Sequence, residues 1–298
     1  MTRTRLRGLE IGRVQIGIEV PDCCPWEWPE SPVADFTCLP RNPEVHVGLR
    51  QAQLSSADLG GECYGLGAWT FEVARCGEDW SLGLSRRGVR EQLASFDREF
   101  QTGEVLICPE AAQSRRFPLL NPLVEWIVLH RTVARGGLSL YASASSVEGG
   151  ARVRLGSSAA KPAAPNRWIT PRAALFGGET LLLREQGSTL RSFRTPWSDA
   201  MDPLLGYSSR VADLIAIEET QHAYRESLDP DDAAELLVTH AIVPLCDEAL
   251  LDRVLRNARR LASRAQVLRC GEVAAAPAPM AWQSPQLQNA FAPPRSRY

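Results

Sequence analysis

Apolar residues recur along the chain with two distinct periods. Residues 9–20, Leu-Glu-Ile-Gly-Arg-Val-Gln-Ile-Gly-Ile-Glu-Val, alternate apolar and polar, the period of a half-buried strand. Four prolines from Pro21 to Pro32, interleaved with Trp26 and Trp28, then predict a loop whose aromatics pin it to the domain body. Short alternating stretches with glycine-bearing turns fill 44–97, and a short helix is expected within 85–100. The clearest helical period follows Pro118 and Pro122, with Leu123, Val124, Trp126, Ile127, Leu129 and Val133 on a buried face and Gly136-Gly137 as its stop.

A strand at 138–144, a turn at Glu148-Gly149-Gly150 and a strand at 151–155 come next. Strands are also expected at 180–184 and through Phe193, separated by a turn at 185–188, with Thr195-Pro196-Trp197 as a further turn. Residues 210–219 and 231–240 suit either a strand or a helix, with Asp229 and Asp231 as caps. Residues 247–265 form an amphipathic helix with Leu250, Leu251, Val254, Leu255, Ala258 and Leu261 on one face, and 266–270 a strand. The expected organisation is a small β-rich domain at 1–117, a core at 118–271, and a disordered Ala/Pro-rich tail at 272–298. The expected class is α/β, leaning toward α+β.

Composition narrows the function. Hydrophobic residues make up 44% and charged residues 23%, as in folded globular chains. A net charge of −2 provides no basic field for nucleic acid or an anionic membrane, so neither is expected as a partner. No apolar leader and no long apolar run are read, which points to a cytoplasmic protein. The eight cysteines contain no C-x-x-C pair and the four histidines show no ligand spacing, so reduced thiols and no metal site are expected. Of 33 basic residues only Lys161 is lysine, which fits a GC-rich genome.

Residues 120–271 resemble the HPr kinase-related, PEP-carboxykinase-like P-loop family. The resemblance rests on Leu129-His130-Arg131, Gly136-Gly137, the strand and turn up to Gly149-Gly150, Thr195-Pro196-Trp197, and the stretches 214–219 and 231–270. It implies a PEP-carboxykinase-like core, ATP and Mg²⁺ as cofactors, a protein or peptide as substrate, a link to peptide modification, and a homo-oligomer.

The chain departs from that pattern where the chemistry would sit. A working phosphate loop reads G-x-x-x-x-G-K-[ST] and opens a helix whose N–H groups hold the phosphates. Here Gly156-Ser157-Ser158-Ala159-Ala160-Lys161-Pro162 lacks the second glycine, is one residue short, and has proline where a hydroxyl would hold Mg²⁺. The six residues 162–167, with Pro162 and Pro165, are too short for the helix that should follow. Gly178 and Glu179 stand where the family places two aspartates, and Tyr141 where relatives have a histidine.

Gly156, Ser157, Ser158 and Lys161 are therefore the candidate remnant of a phosphate site, and Glu179 the surviving carboxylate, as base or metal ligand. Each also has a plain structural reading: a solvated lysine, and a glutamate paired with arginine. Arg184, Thr195 and Trp197 are candidate substrate or partner contacts. His130 and Arg131 read as cations complementing a helix C-terminus. The expected function is that of a pseudokinase-like binding or scaffold protein without a cofactor. The alternative is an anion-binding enzyme or Ser-kinase-like phosphotransferase rebuilt around Lys161, Glu179 and Arg184.

Overall fold

The computed structural model describes residues 4–22, 24, 26–27, 33–66, 68–112, 119–156, 180–197, 206–220, 222–243 and 247–273. Strands β1 (Thr4–Ile11) and β2 (Val14–Pro21) are a hairpin, so the alternating stretch 9–20 is not one strand. Gly12 and Arg13 turn it with φ of 58° and 66°, the left-handed pair of a tight hairpin. Leu9 and Ile11 are buried, then Val14, Ile16, Ile18 and Val20. The period slips by one at the turn, and that slip is what separates two strands from one.

A 3₁₀ turn at Val33–Phe36 leads to β3 (Thr37–Cys38), then β4 (Val45–Gln51), β5 (Glu62–Leu66), β6 (Trp69–Cys76), β7 (Asp79–Arg86), β8 (Val89–Phe96) and β9 (Thr102–Ile107). These nine strands make one sheet in the order β3-β1-β2-β4-β9-β8-β7-β6-β5. The expected helix within 85–100 is instead part of this sheet. Arg90 and Gln92 point inward along β8 with Ala94 and Phe96, so polar residues occupy core positions and obscure the strand period. Arg90 is 2% exposed and is neutralised there: its Nη2 reaches Glu72 at 2.8 Å and its Nε donates to Ser85 at 3.0 Å.

The second half begins with α1 (Pro109–Ala112), a π turn at Leu120–Val124 and α2 (Glu125–Ala134). It continues through β10 (Leu138–Val147), β11 (Gly150–Leu155), β12 (Thr180–Gln186), β13 (Thr189–Phe193), β14 (Ser208–Thr220), β15 (Tyr224–Ser227), α3 (Pro230–Thr239), α4 (Glu248–Ala262) and β16 (Val267–Val273). Asp229 caps α3 and Asp247 caps α4 through side-chain acceptors. The second sheet runs β11-β10-β12-β13-β14-β16-β15, and a further β11–β14 pairing closes a circuit of five strands. Strands dominate both halves, and the few helices pack on the sheets, which agrees loosely with the expected mixed class.

Helix α2 joins the two sheets. Leu123, Val124, Trp126, Ile127, Val128 and Leu129 pack into the core of the first sheet, whereas Val133 belongs to the second. Leu182, Phe193 and Ile242, all from the second half, also enter the first core, as does Trp26. The first sheet ends at Ile107 and the second begins at Leu138, yet residues of the second half enter the first core.

Polar ties surround the helix. Arg131 pairs with Glu44 at 3.2 Å and donates to the Glu99 carbonyl at 2.8 Å, and Arg135 pairs with the same Glu44. From α4, Asn257 Nδ2 donates to the carbonyls of Val133 (2.8 Å) and Gly137 (3.0 Å). These acceptors belong to the last turn of α2 and its stop, whose carbonyls have no partner within the helix. Replacing the buried Asn257 by Ala is expected to lower stability by about 2 kcal/mol, because the Val133 and Gly137 carbonyls both lose this donor and Val133 keeps only the Gly136 N–H at 3.0 Å. Urea unfolding checks this, and a loss under about 0.5 kcal/mol would show that α2 holds its end without α4.

Candidate functional site

Strand β11 pairs antiparallel with β10 and parallel with β14, and β16 runs parallel to β14. The carboxyl ends of β11, β14 and β16 therefore face the same way, the end at which mixed sheets hold ligands. Gly156 stands just past β11 with φ of 93°, and its N–H donates to the Tyr141 carbonyl at 2.9 Å. Tyr141 N–H donates in turn to the His240 carbonyl at 2.8 Å, at the end of α3. A Cβ placed on Gly156 would lie 3.5 Å from Cε1 and 3.9 Å from Nδ1 of His240. Tyr141 also pairs across β10 with Thr180, the first residue of β12. The chain thus leaves the described structure at Gly156 and re-enters it at Thr180, both beside Tyr141 and with His240 at one side.

The candidate residues fare unequally at this mouth. Ser157, Ser158, Lys161 and Glu179 lie outside the described residues. Gly156 is at the mouth, but its N–H is committed to the Tyr141 carbonyl and is not a donor for phosphate. Arg184 is not there. It lies four residues along β12, about 13 Å from Thr180, and donates to the Gly12 carbonyl in the β1–β2 hairpin. Burial, and then the neighbouring Arg135, pull its pKa down. It joins the halves. Thr195 is 1% exposed and gives its hydroxyl to the Thr180 carbonyl at 3.0 Å, a brace for the mouth. Trp197 is half-buried and packs on the first core.

Two features carry no linear signal. His240 reaches Gly156 only because α3 ends against β10. The other is a cleft between the halves, lined by Arg98, Glu99, His130, Asp247, Ala249, Leu250 and Arg253. His130 is not the helix-end cation expected of it. It lies against Trp80, Phe100 and Trp126, with ring centroids 5.5, 4.3 and 5.6 Å away, and burial pushes its pKa down to about 3. Only Arg131 of that pair is a cation, and Glu44 neutralises it. Earlier on α2, Glu125 is 4% exposed, neither carboxyl oxygen meets a hydrogen-bond partner, and burial raises its pKa well above the ordinary range.

Among the described residues no group of three or more His, Cys, Asp or Glu side chains is placed to hold a metal ion. Nor is any helix there long and apolar enough to cross a membrane. No family model matches the chain, and no curated protein is similar to it.

The two buried titratable groups of α2 act on stability in opposite directions. His130 binds its proton more weakly folded than unfolded, so it costs stability as pH falls from about 6.5 toward 3, by up to about 1.4 kcal/mol per pH unit. Glu125 binds its proton more tightly folded, so the stability it confers is full below about 4.5 and is lost as pH rises through its raised value. Glu125→Gln is accordingly expected to be more stable than the parent at pH 8 and no more stable at pH 4. Denaturant titrations at the two pH values measure this, and an equal difference at both would refute it.

Proposed function

We propose that this chain is a binding protein on a degenerate HPr kinase-related, PEP-carboxykinase-like core, and that it engages a protein or peptide without ATP-dependent phosphoryl transfer. The observation that carries this reading is the use of the mouth's own donors. A phosphate loop works by leaving backbone N–H groups turned toward the anion. Gly156 N–H is taken by Tyr141 and Thr195 Oγ1 by Thr180, so both described donors at the mouth serve the fold, and Arg184, further along β12, is taken by Gly12. The sequence between them adds Pro162 for the metal-binding hydroxyl and too few residues for the phosphate helix. A nucleotide and Mg²⁺ therefore do not fit the residues present. A cytoplasmic setting and a homo-oligomer belong to the same reading.

A second reading, an anion-binding enzyme rebuilt around Lys161 and Glu179, draws on one specific observation: the His240 imidazole beside Gly156. Lys161 is five residues from Gly156, so chain length alone keeps it within about 18 Å of that glycine. Calorimetric titration with Mg·ATP separates the two readings. The binding-protein reading expects no saturable heat up to millimolar nucleotide, and micromolar affinity would overturn it. The enzyme reading expects Lys161→Ala to abolish turnover with the fold intact, and unchanged activity would count against it.

A further inference from the structure

Cross-strand register places three arginines side by side on one face of the second sheet. Arg184 of β12 lies directly opposite Arg191 of β13, and Arg191 lies directly opposite Arg210 of β14. Residues in direct opposition share a face, with Cβ atoms about 5 Å apart, so the row spans about 10 Å across three strands. On one side of it, on the same face, run Leu182, Phe193 and Ser208, of which the first two are buried in the first core. On the other side run Gln186, exposed, and Thr189, half-buried. The arginines therefore stand where the cover of the first half ends and solvent begins.

Like charges in direct opposition destabilise a sheet, and here the fold answers them with neutral acceptors alone. Arg184 Nη1 donates to the Gly12 carbonyl, and Arg191 Nη2 to the carbonyl and hydroxyl of Ser208 at 3.2 and 3.1 Å. The carboxylates in reach are spent elsewhere: Glu185 on Arg264 at 3.2 Å, Asp213 on Arg152 at 2.9 Å, and Glu44 on Arg131 and Arg135. Among the described residues none pairs with the row. Arg135 and Arg13 add to the positive field at Arg184. The Nε atoms of Arg184 and Arg191 are sealed from solvent, but Arg184 Nη2 and Arg191 Nη1 are neither sealed nor bonded to a described residue. Arg210 is exposed.

We propose that this row is a docking surface for an acidic peptide segment, whose carboxylates accept from Arg184 Nη2, Arg191 Nη1 and the Arg210 guanidinium. Charge complementarity selects the occupant: three fixed cations in line, with no carboxylate of the fold against them, match a chain that carries several anions in line. An extended peptide advances about 3.3 Å per residue, so about four residues cross the row. A nucleic-acid strand would bring phosphates too, but its bases need aromatic platforms between the cations. The open positions beside the row are Gln186, Thr189 and Ser208, and a net charge of −2 supplies no wider basic field. The inference rests on the binding-protein reading, to which it gives a surface and a partner chemistry.

The test is fluorescence anisotropy of a labelled decaglutamate titrated with the full chain at low ionic strength, beside a labelled oligothymidylate of equal charge. The peptide is expected to bind saturably in the micromolar range. Arg210→Gln is expected to weaken it about tenfold, the loss of one charge-assisted bond. Arg225→Gln, an exposed arginine of β15 outside the row, is expected to leave it unchanged. Arg210→Glu is expected to abolish binding while raising thermal stability, because it sets a carboxylate opposite Arg191; a misfolded variant would lose both. A peptide that does not bind saturably, or that binds the Arg210→Gln and Arg225→Gln proteins alike, would overturn the docking surface. Oligothymidylate bound as tightly as the peptide would overturn the choice of an acidic peptide. Either failure leaves the binding-protein reading standing, since that reading falls to micromolar Mg·ATP affinity.

Discussion

Burial of α2 on every side is the constraint on which the rest of the structure depends. Every residue from Glu125 to Val133 is buried, so the helix has no solvent face on which to place polar groups. A helix in that position needs apolar cover from two directions, and it receives it from the first sheet through Trp126 to Leu129 and from the second through Val133. Its polar groups then need partners supplied by chain far away in sequence. Glu44 neutralises Arg131 and Arg135, and Asn257 satisfies the carbonyls at the helix end. Neither sheet can reach its full core without the helix, and this is why the two halves share one.

The same arrangement accounts for the two unusual titratable groups. Glu125 and His130 sit where desolvation outweighs any nearby charge, which pushes the carboxyl's pKa up and the imidazole's down. For Glu125 the structure offers no compensating hydrogen bond. For His130 the neighbours are the rings of Trp80, Phe100 and Trp126, and its Nε2 likewise meets no partner.

At that mouth, strand pairing and ligand binding compete for the same groups. The N–H of Gly156 can hold the base of the loop to β10 or point at an anion, but not both, and here it holds the loop. Thr195 shows the same choice, giving its hydroxyl to the Thr180 carbonyl.

Much of the architecture was legible in linear order. The cap at Asp229, the α4 stripe, the β10–β11 turn and the stop at Gly136-Gly137 all act within a few residues, and local chemistry is visible to local reading, whereas Asp231, also expected as a cap, is instead one of the residues Asp229 caps. The sequence also shows, without any fold, that Pro162 follows Lys161 and Pro165 comes three residues later. It did not reveal the β1–β2 turn, where a one-residue slip of phase replaces an overt break, or β8, where Arg90 stands at a core position. What only the tertiary structure decided is which distant groups meet: Arg184 with Gly12, Arg131 with Glu44, His240 with Gly156, and His130 with the turn at Arg98 and the start of α4. Those pairings set which side chains are consumed by the fold and which remain to bind. They depend on how two sheets close over one helix, and no periodicity within a strand or helix encodes that.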